Sequence, residues 1–125
     1  MSDLAVVTRA KDLATYLFGV TEKSPKRFRF TLCSRMQNAA LDILDGLYAA
    51  NDTWIDAGDG VARQAALQKR LDLQHGALTS ATRLDYMLTL SREQGTILPK
   101  QYEHAAGLLY EIRCLLGGWI KSDRR

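Results

Sequence analysis

A chain of 125 residues with 46% hydrophobic and 8% aromatic side chains is long enough to bury a core as one domain, residues 1–125, and reads as a soluble protein. Its two cysteines, Cys33 and Cys114, are far apart and lack a C-x-x-C partner, which argues against a disulfide framework or zinc site and favours a reducing cytoplasm. No signal peptide is visible, and the apolar run LATYLFGVT between Asp12 and Glu22 is too short to span a bilayer. The net charge of +3 is small but uneven: the stretch from Lys23 to Leu41 holds five basic residues and no acidic one, while the remainder holds 12 Lys and Arg against 14 Asp and Glu.

Residues 3 to 22 carry Leu4, Val7, Ala14, Leu17, Phe18 and Val20 at largely helical spacing and predict a first helix. The second begins at Ser24 and Pro25, a serine cap followed by a proline at the first helical position. Its stripe is Phe28, Leu32, Met36, Ala39, Ile43, Leu47 and Ala50, in steps of four and three. A second apolar line, Phe30, Cys33, Ala40, Leu41, Leu44 and Tyr48, lies beside it. NDTWIDAGDG, residues 51 to 60, is a break. A third helix runs from about Val61 to Glu93 with Leu67, Leu71, Leu73, Ala77, Ala81, Leu84 and Leu88 inward, and Gly76 beside His75 marks a bend. Gly95 terminates it, and Pro99 opens a fourth helix that reaches about Lys121. The fourth helix has a main stripe of Tyr102, Ala105, Ala106, Leu109, Ile112, Leu116 and Ile120 beside Leu108 and Leu115. Four long helices with short links predict an all-α, up-and-down four-helix bundle. The doubled apolar faces of the second and fourth helices serve either two neighbours within the chain or other copies of it.

No catalytic constellation is visible. A di-metal bundle needs an inward Glu-x-x-His pair, whereas Glu103 and His104 are adjacent and His75 has no acid at that spacing. Both histidines read as surface or boundary residues. Asp56-Ala-Gly-Asp-Gly lacks the alternating oxygens of a calcium loop and reads as a polar turn. No nucleophile motif, phosphate loop or dinucleotide fingerprint occurs. The chain is expected to be non-enzymatic, with no metal and no cofactor.

The charge of the second helix is the sharper signal. Lys23, Lys26, Arg27 and Arg29 gather at its start, where the helix dipole favours acids, and Asp42, Asp45 and Asp52 crowd its acid-averse end. Such a violation marks either a functional constraint or cations that pair with carboxylates of a neighbouring helix or subunit. In the functional reading, cations beside free amide hydrogens hold phosphates of a nucleic-acid backbone, with Lys23, Lys26, Arg27 and Arg29 as the candidate contacts. Phe28 and Phe30 are expected in the core rather than stacked on bases. Gly117 and Gly118 in LLGGWIK each lower helix stability by about 1 kcal/mol relative to alanine, so a close backbone or the Trp119 ring should compensate.

PKRFRFTLCSRMQNAALDILDGLYAAN and LPKQYEHAAGLLYEIRCLLGGWIK together resemble the accessory variability determinant proteins of diversity-generating retroelements. The matching features are the Pro-Lys start, the Arg-Phe-Thr-Leu and Asn-Ala-Ala-Leu runs, Gln-Tyr-Glu and the terminal Leu-Gly-Gly-Trp. The resemblance covers about 50 residues; the first helix and much of the third carry no comparable signature. It implies a homopentameric barrel of four-helix bundles that binds RNA or DNA through basic residues, here Lys26, Arg29 and Arg35, and partners the element's reverse transcriptase in mutagenic cDNA synthesis. Phe30, Tyr48, Leu108, Leu115, Gly117, Gly118 and Trp119 are the candidate oligomer-interface or packing residues. Cys33 and Ser34 depart from a common Gly-Gln pair, and Cys114 stands in place of a basic residue before Leu-Gly-Gly-Trp. The alternatives are a four-helix protein of the kind encoded in intervening sequences of ribosomal RNA genes, although the Ser-Ile-Pro-Ser-Asn-Ile-Ala-Glu run of that group is lacking, and a structural oligomer that organises another protein.

Overall fold

The computed structural model describes residues 2–55 and 60–125, with side chains from residue 5 onward, so the Leu4 side chain and the Asp56-Ala-Gly-Asp segment lie outside the description. Among these residues there are four α-helices and no strand: α1 (Ser2–Thr21), α2 (Ser34–Asn51), α3 (Gly60–Glu93) and α4 (Pro99–Asp123). Each helix packs on its neighbours in the chain, and α4 closes the ring against α1, which gives a four-helix bundle. No helix is long and apolar enough to cross a membrane.

The core follows the main expected stripes of α2 and α4, whereas on α1 it takes Val6, Ala10 and Leu13 beside the expected Val7, Ala14 and Leu17, and Phe18, expected inward, is exposed. Leu13 and Leu17 of α1, Met36, Ile43 and Leu47 of α2, Leu84 and Leu88 of α3, and Leu109, Ile112 and Leu116 of α4 are fully buried against one another. Burial of one such side chain contributes about 1.5–3 kcal/mol, so this cluster is the main source of stability. On α3 the outer half of the predicted stripe, Leu67, Leu71 and Leu73, is only half-buried, and Gln74 and Ser91 occupy inward positions instead. Ser91 Oγ donates to Met36 Sδ at 3.3 Å. The helix runs unbroken through Gly76, so the predicted bend is absent.

The α3–α4 connection forms as its sequence predicts. Gly95 adopts φ +77°, the left-handed region that glycine enters freely. The Thr96 N–H then reaches back to Ser91 O (2.8 Å) and the Gly95 N–H to Arg92 O (3.2 Å), satisfying carbonyls that the helix end leaves open. Pro99 opens α4, and Gln101 Oε1 accepts the Leu98 N–H at 2.8 Å.

The start of the second helix differs from expectation. Pro25 is extended (φ −54°, ψ 137°) and stands outside the helix, and no side chain caps the turn that follows. Ser24 Oγ donates instead to Thr96 O at 2.7 Å, which ties the α1–α2 link to the α3–α4 link at one end of the bundle. The chain then makes a 3₁₀ turn over Lys26–Phe28 and a π turn over Arg29–Cys33 before the regular ladder begins at Ser34. The Ser34 N–H bonds Arg29 O five residues back, the signature of the wider turn. That turn inserts an extra residue and shifts the helical register. It explains why Phe30, expected to pack, is 86% exposed while Cys33 is buried.

Among the described glycines, the close interhelical approach is also not at the Gly117–Gly118 pair. A Cβ on Gly46 would lie 3.1 Å from Ala77 Cβ and 3.4 Å from Leu73 O, so α2 and α3 touch backbone to backbone there. Added Cβ atoms on Gly117 and Gly118 would meet nothing within 4 Å, and Trp119 turns inward, 6% exposed, in the chain's own core.

Candidate nucleic-acid interface

The links α1–α2 and α3–α4 share one end of the bundle, and most of the cations singled out in the sequence lie there. Lys26 and Arg29 come together on the rim of a cleft of about 380 Å³ between the end of α1 and the π turn. Its other walls include Glu22, Cys33 and Gln37. Gln37 Nε2 donates to Thr21 Oγ1 at 2.9 Å, and that hydroxyl donates to Leu17 O at 2.6 Å, so the floor beneath the cations is held by hydrogen bonds to α1.

The remaining three candidates point elsewhere. Lys23 borders a depression on the other side of Ser24 and Pro25, beside Gly95, Thr96 and Gln101. Arg27 is held over its neighbour's ring, 4.5 Å from the Phe28 centroid. Arg35, one turn further along, faces α3 in a groove that it shares with Arg83. The cations thus form a collar around one end of the bundle rather than a single cluster.

No carboxylate among the described residues forms an ion pair with them, although Glu22 lines the same cleft as Lys26 and Arg29. The ion pairs among the described residues are Arg9 with Asp12 and Glu111, Arg70 with Asp123, and Arg113 with Asp85; none includes Lys23, Lys26, Arg27, Arg29 or Arg35. Pairing with a neighbouring helix, the bland account of these charges, therefore does not operate among the described residues. The break in helical geometry also softens the conflict with the helix dipole, because the regular ladder begins only at Ser34, beyond four of the five cations.

Sequence reasoning missed basic residues that only the topology brings near. Arg92, stacked 4.5 Å from the Tyr102 ring centroid, and exposed Lys100 flank the α3–α4 turn and add to the collar, with Glu93 as an acidic neighbour. Arg83 was legible only as a polar position beside Leu84. No group of three or more His, Cys, Asp or Glu that would hold a metal occurs among the described residues. His104 packs on Tyr16 with ring centroids 4.3 Å apart, and His75 is exposed.

The candidate interface residues on the other faces divide. Tyr48, Gly117 and Gly118 are exposed, Leu108 and Leu115 are half-buried against the core, and Trp119 is buried within it. At the opposite end of the bundle a buried polar network closes α3 on α4: Asp123 accepts from Arg70 Nε (2.8 Å), Arg70 Nη2 (2.5 Å) and Gln74 Nε2 (2.7 Å).

The fold defines a class, the all-helical four-helix bundles, here with the acid-free basic segment that starts at Lys23 at one end. A crystal structure of a protein with unknown function from the S23 ribosomal protein family of Bacteroides thetaiotaomicron VPI-5482 is similar across nearly all of both chains. The TM-score is 0.76 at 20% identity, covering 97% of this chain and 99% of that one. No protein-family model matches the chain, and no curated protein does.

Proposed function

We propose that the protein is a non-catalytic, nucleic-acid-binding accessory factor that works in the cytoplasm as a homo-oligomer, a pentamer by its resemblance to the retroelement accessory proteins, and partners a reverse transcriptase. The observation that carries the binding is that Lys23, Lys26, Arg27, Arg29 and Arg35 share one stretch without an acidic residue, and none of them joins an ion pair among the described residues. Unpaired cations on a short segment attract a polyanion and release its counterions. The polymerase partner rests on the sequence resemblance alone. The solved neighbour's family, S23 ribosomal protein, is compatible with an RNA setting, but at 20% identity that neighbour supplies the fold alone.

Simultaneous Lys26→Glu, Arg27→Glu and Arg29→Glu substitution tests the reading. These three side chains are exposed or carried on exposed backbone and make no ion pair, so the bundle should keep its helicity and oligomer size while binding to a structured RNA at low salt is lost. Unaltered affinity would remove the site assignment. A second reading, a protein-docking oligomer, draws on the 86% exposure of Phe30 beside the cations. Docking through an apolar surface changes little with salt, whereas phosphate binding weakens steeply.

A further inference from the structure

We propose that the groove between α2 and α3 binds single-stranded nucleic acid, with Tyr86 as a stacking platform and Arg35 and Arg83 as phosphate contacts; this rests on the nucleic-acid reading above and specifies its ligand. The groove has an apolar floor and basic walls. One section, of about 490 Å³, is lined by Leu32, Arg35, Arg83, Tyr86, Met87 and Leu90. A second section of about 300 Å³ shares Arg35, Arg83 and Met87 with it and extends along the helices to Asp42. The two form one continuous track, and its near end starts at Leu32 inside the π turn that carries Arg29, so it continues the basic collar.

Charge and polarity select the occupant. Arg35 and Arg83 enter from opposite helices, and neither takes part in an ion pair among the described residues. Asp85, two residues from Arg83, is turned away to accept from Arg113 Nη1 at 3.3 Å on α4. Asp42 is the one carboxylate on the lining, at the far end. The track is therefore net positive next to an aromatic ring, and Tyr86 is 67% exposed with its ring free of any ring or cation contact. A duplex presents only phosphates and sugars to such a groove and would leave Leu32, Met87 and Leu90 without apolar partners. A single strand offers phosphates to the arginines and unstacked bases to Tyr86 and the floor, the combination that single-strand binders use.

The test compares labelled oligouridine of about 20 nucleotides with an RNA duplex of matched length by fluorescence anisotropy at low salt, using the full chain. Tyr86→Ala is expected to weaken oligouridine binding about tenfold, since one stacked base is lost, and to leave duplex binding unchanged. Tyr86→Phe, which keeps the ring, should bind as the wild type does. Arg83→Gln should weaken single-strand binding and flatten its dependence on salt. If both Tyr86→Ala and Arg83→Gln bind oligouridine normally while the Lys26, Arg27, Arg29 reversal abolishes binding, the groove assignment falls and the collar stands. If Tyr86→Ala weakens both probes equally, stacking is overturned. If the wild type binds neither probe, the nucleic-acid reading falls and this proposal with it.

Discussion

Replacing Asp123 with alanine removes the common acceptor of the network that joins α3 to α4. Three donors lose their partner: Arg70 Nε at 2.8 Å, Arg70 Nη2 at 2.5 Å and Gln74 Nε2 at 2.7 Å. The Arg70 and Asp123 side chains are 20% and 9% exposed, so this is a largely desolvated pair, in contrast to the other ion pairs of the chain. Breaking one side of such a pair costs about 3–5 kcal/mol, because the other charge stays behind unpaired. Arg70 keeps a long contact to Thr53 O (3.4 Å) and lies 5.8 Å from the Trp119 ring, which sets the expected loss at the lower end, about 3 kcal/mol. Gln74 adds to the loss, since its Oε1 is already buried without a partner. At about 4 °C per kcal/mol for a chain of this size, the melting temperature should fall by roughly 12 °C in a thermal scan followed by circular dichroism. The double variant Arg70→Met, Asp123→Ala should lose less than Asp123→Ala alone, because the stranded cation is gone. A fall of less than about 4 °C for Asp123→Ala would refute the reasoning, for it would mean that the last turn of α4 opens and the pair behaves as a solvated surface pair.

Three further outcomes follow from local geometry. Gly107→Ala, at an exposed helical position with open space around it, should stabilise by about 1 kcal/mol, whereas Gly46→Ala, 3.1 Å from Ala77 Cβ, should show no such gain in urea unfolding; equal gains would refute the close α2–α3 contact. Gly117→Ala with Gly118→Ala should raise the melting temperature of the isolated chain by propensity alone and reduce the subunit number in light scattering if that face joins copies; an unchanged subunit number would remove these glycines from any interface. The Tyr110 phenol, hydrogen-bonded to the Cys114 side chain and facing the charge of its thiolate, should ionise above the ordinary value of 10.0, and Cys114→Ala should bring that ultraviolet transition back down. Because the folded value is raised, the stability linked to it is present below the unfolded phenol's value and is lost as pH rises through the folded one, so a difference between wild type and Cys114→Ala that grew only at neutral pH would contradict the assignment.

The parts of the fold that were legible are those in which one short-range rule decides. Met36, Ala39, Ile43, Leu47 and Ala50 recur at steps of three and four, and all five are buried. Gly95 and Pro99 have backbone requirements that few alternatives meet, and the turn they bracket formed as expected. The burial of Gln74 and Ser91 was not legible, because their partners lie 49 and 55 residues away, which periodicity does not register. Phe30 was placed in an apolar line that assumes one continuous α-helix; the π turn advances the register and carries the ring into solvent. At the candidate site, the basic residues were legible as charge, but their division among a cleft, a collar and a groove was not. That division depends on where the α3–α4 turn and Arg83 lie, which only the packing of the bundle decides.

The salt dependence of RNA affinity tests the central claim most directly. Each phosphate neutralised on a single strand contributes a slope of about −0.7 to log K against log salt, so the five cations predict a slope of up to roughly −3.5, reduced in magnitude by roughly 2 in a milder variant that only neutralises three of them, Lys26→Gln, Arg27→Gln and Arg29→Gln. A slope near zero, or one identical in the two proteins, would contradict the claim that these residues meet a phosphate backbone.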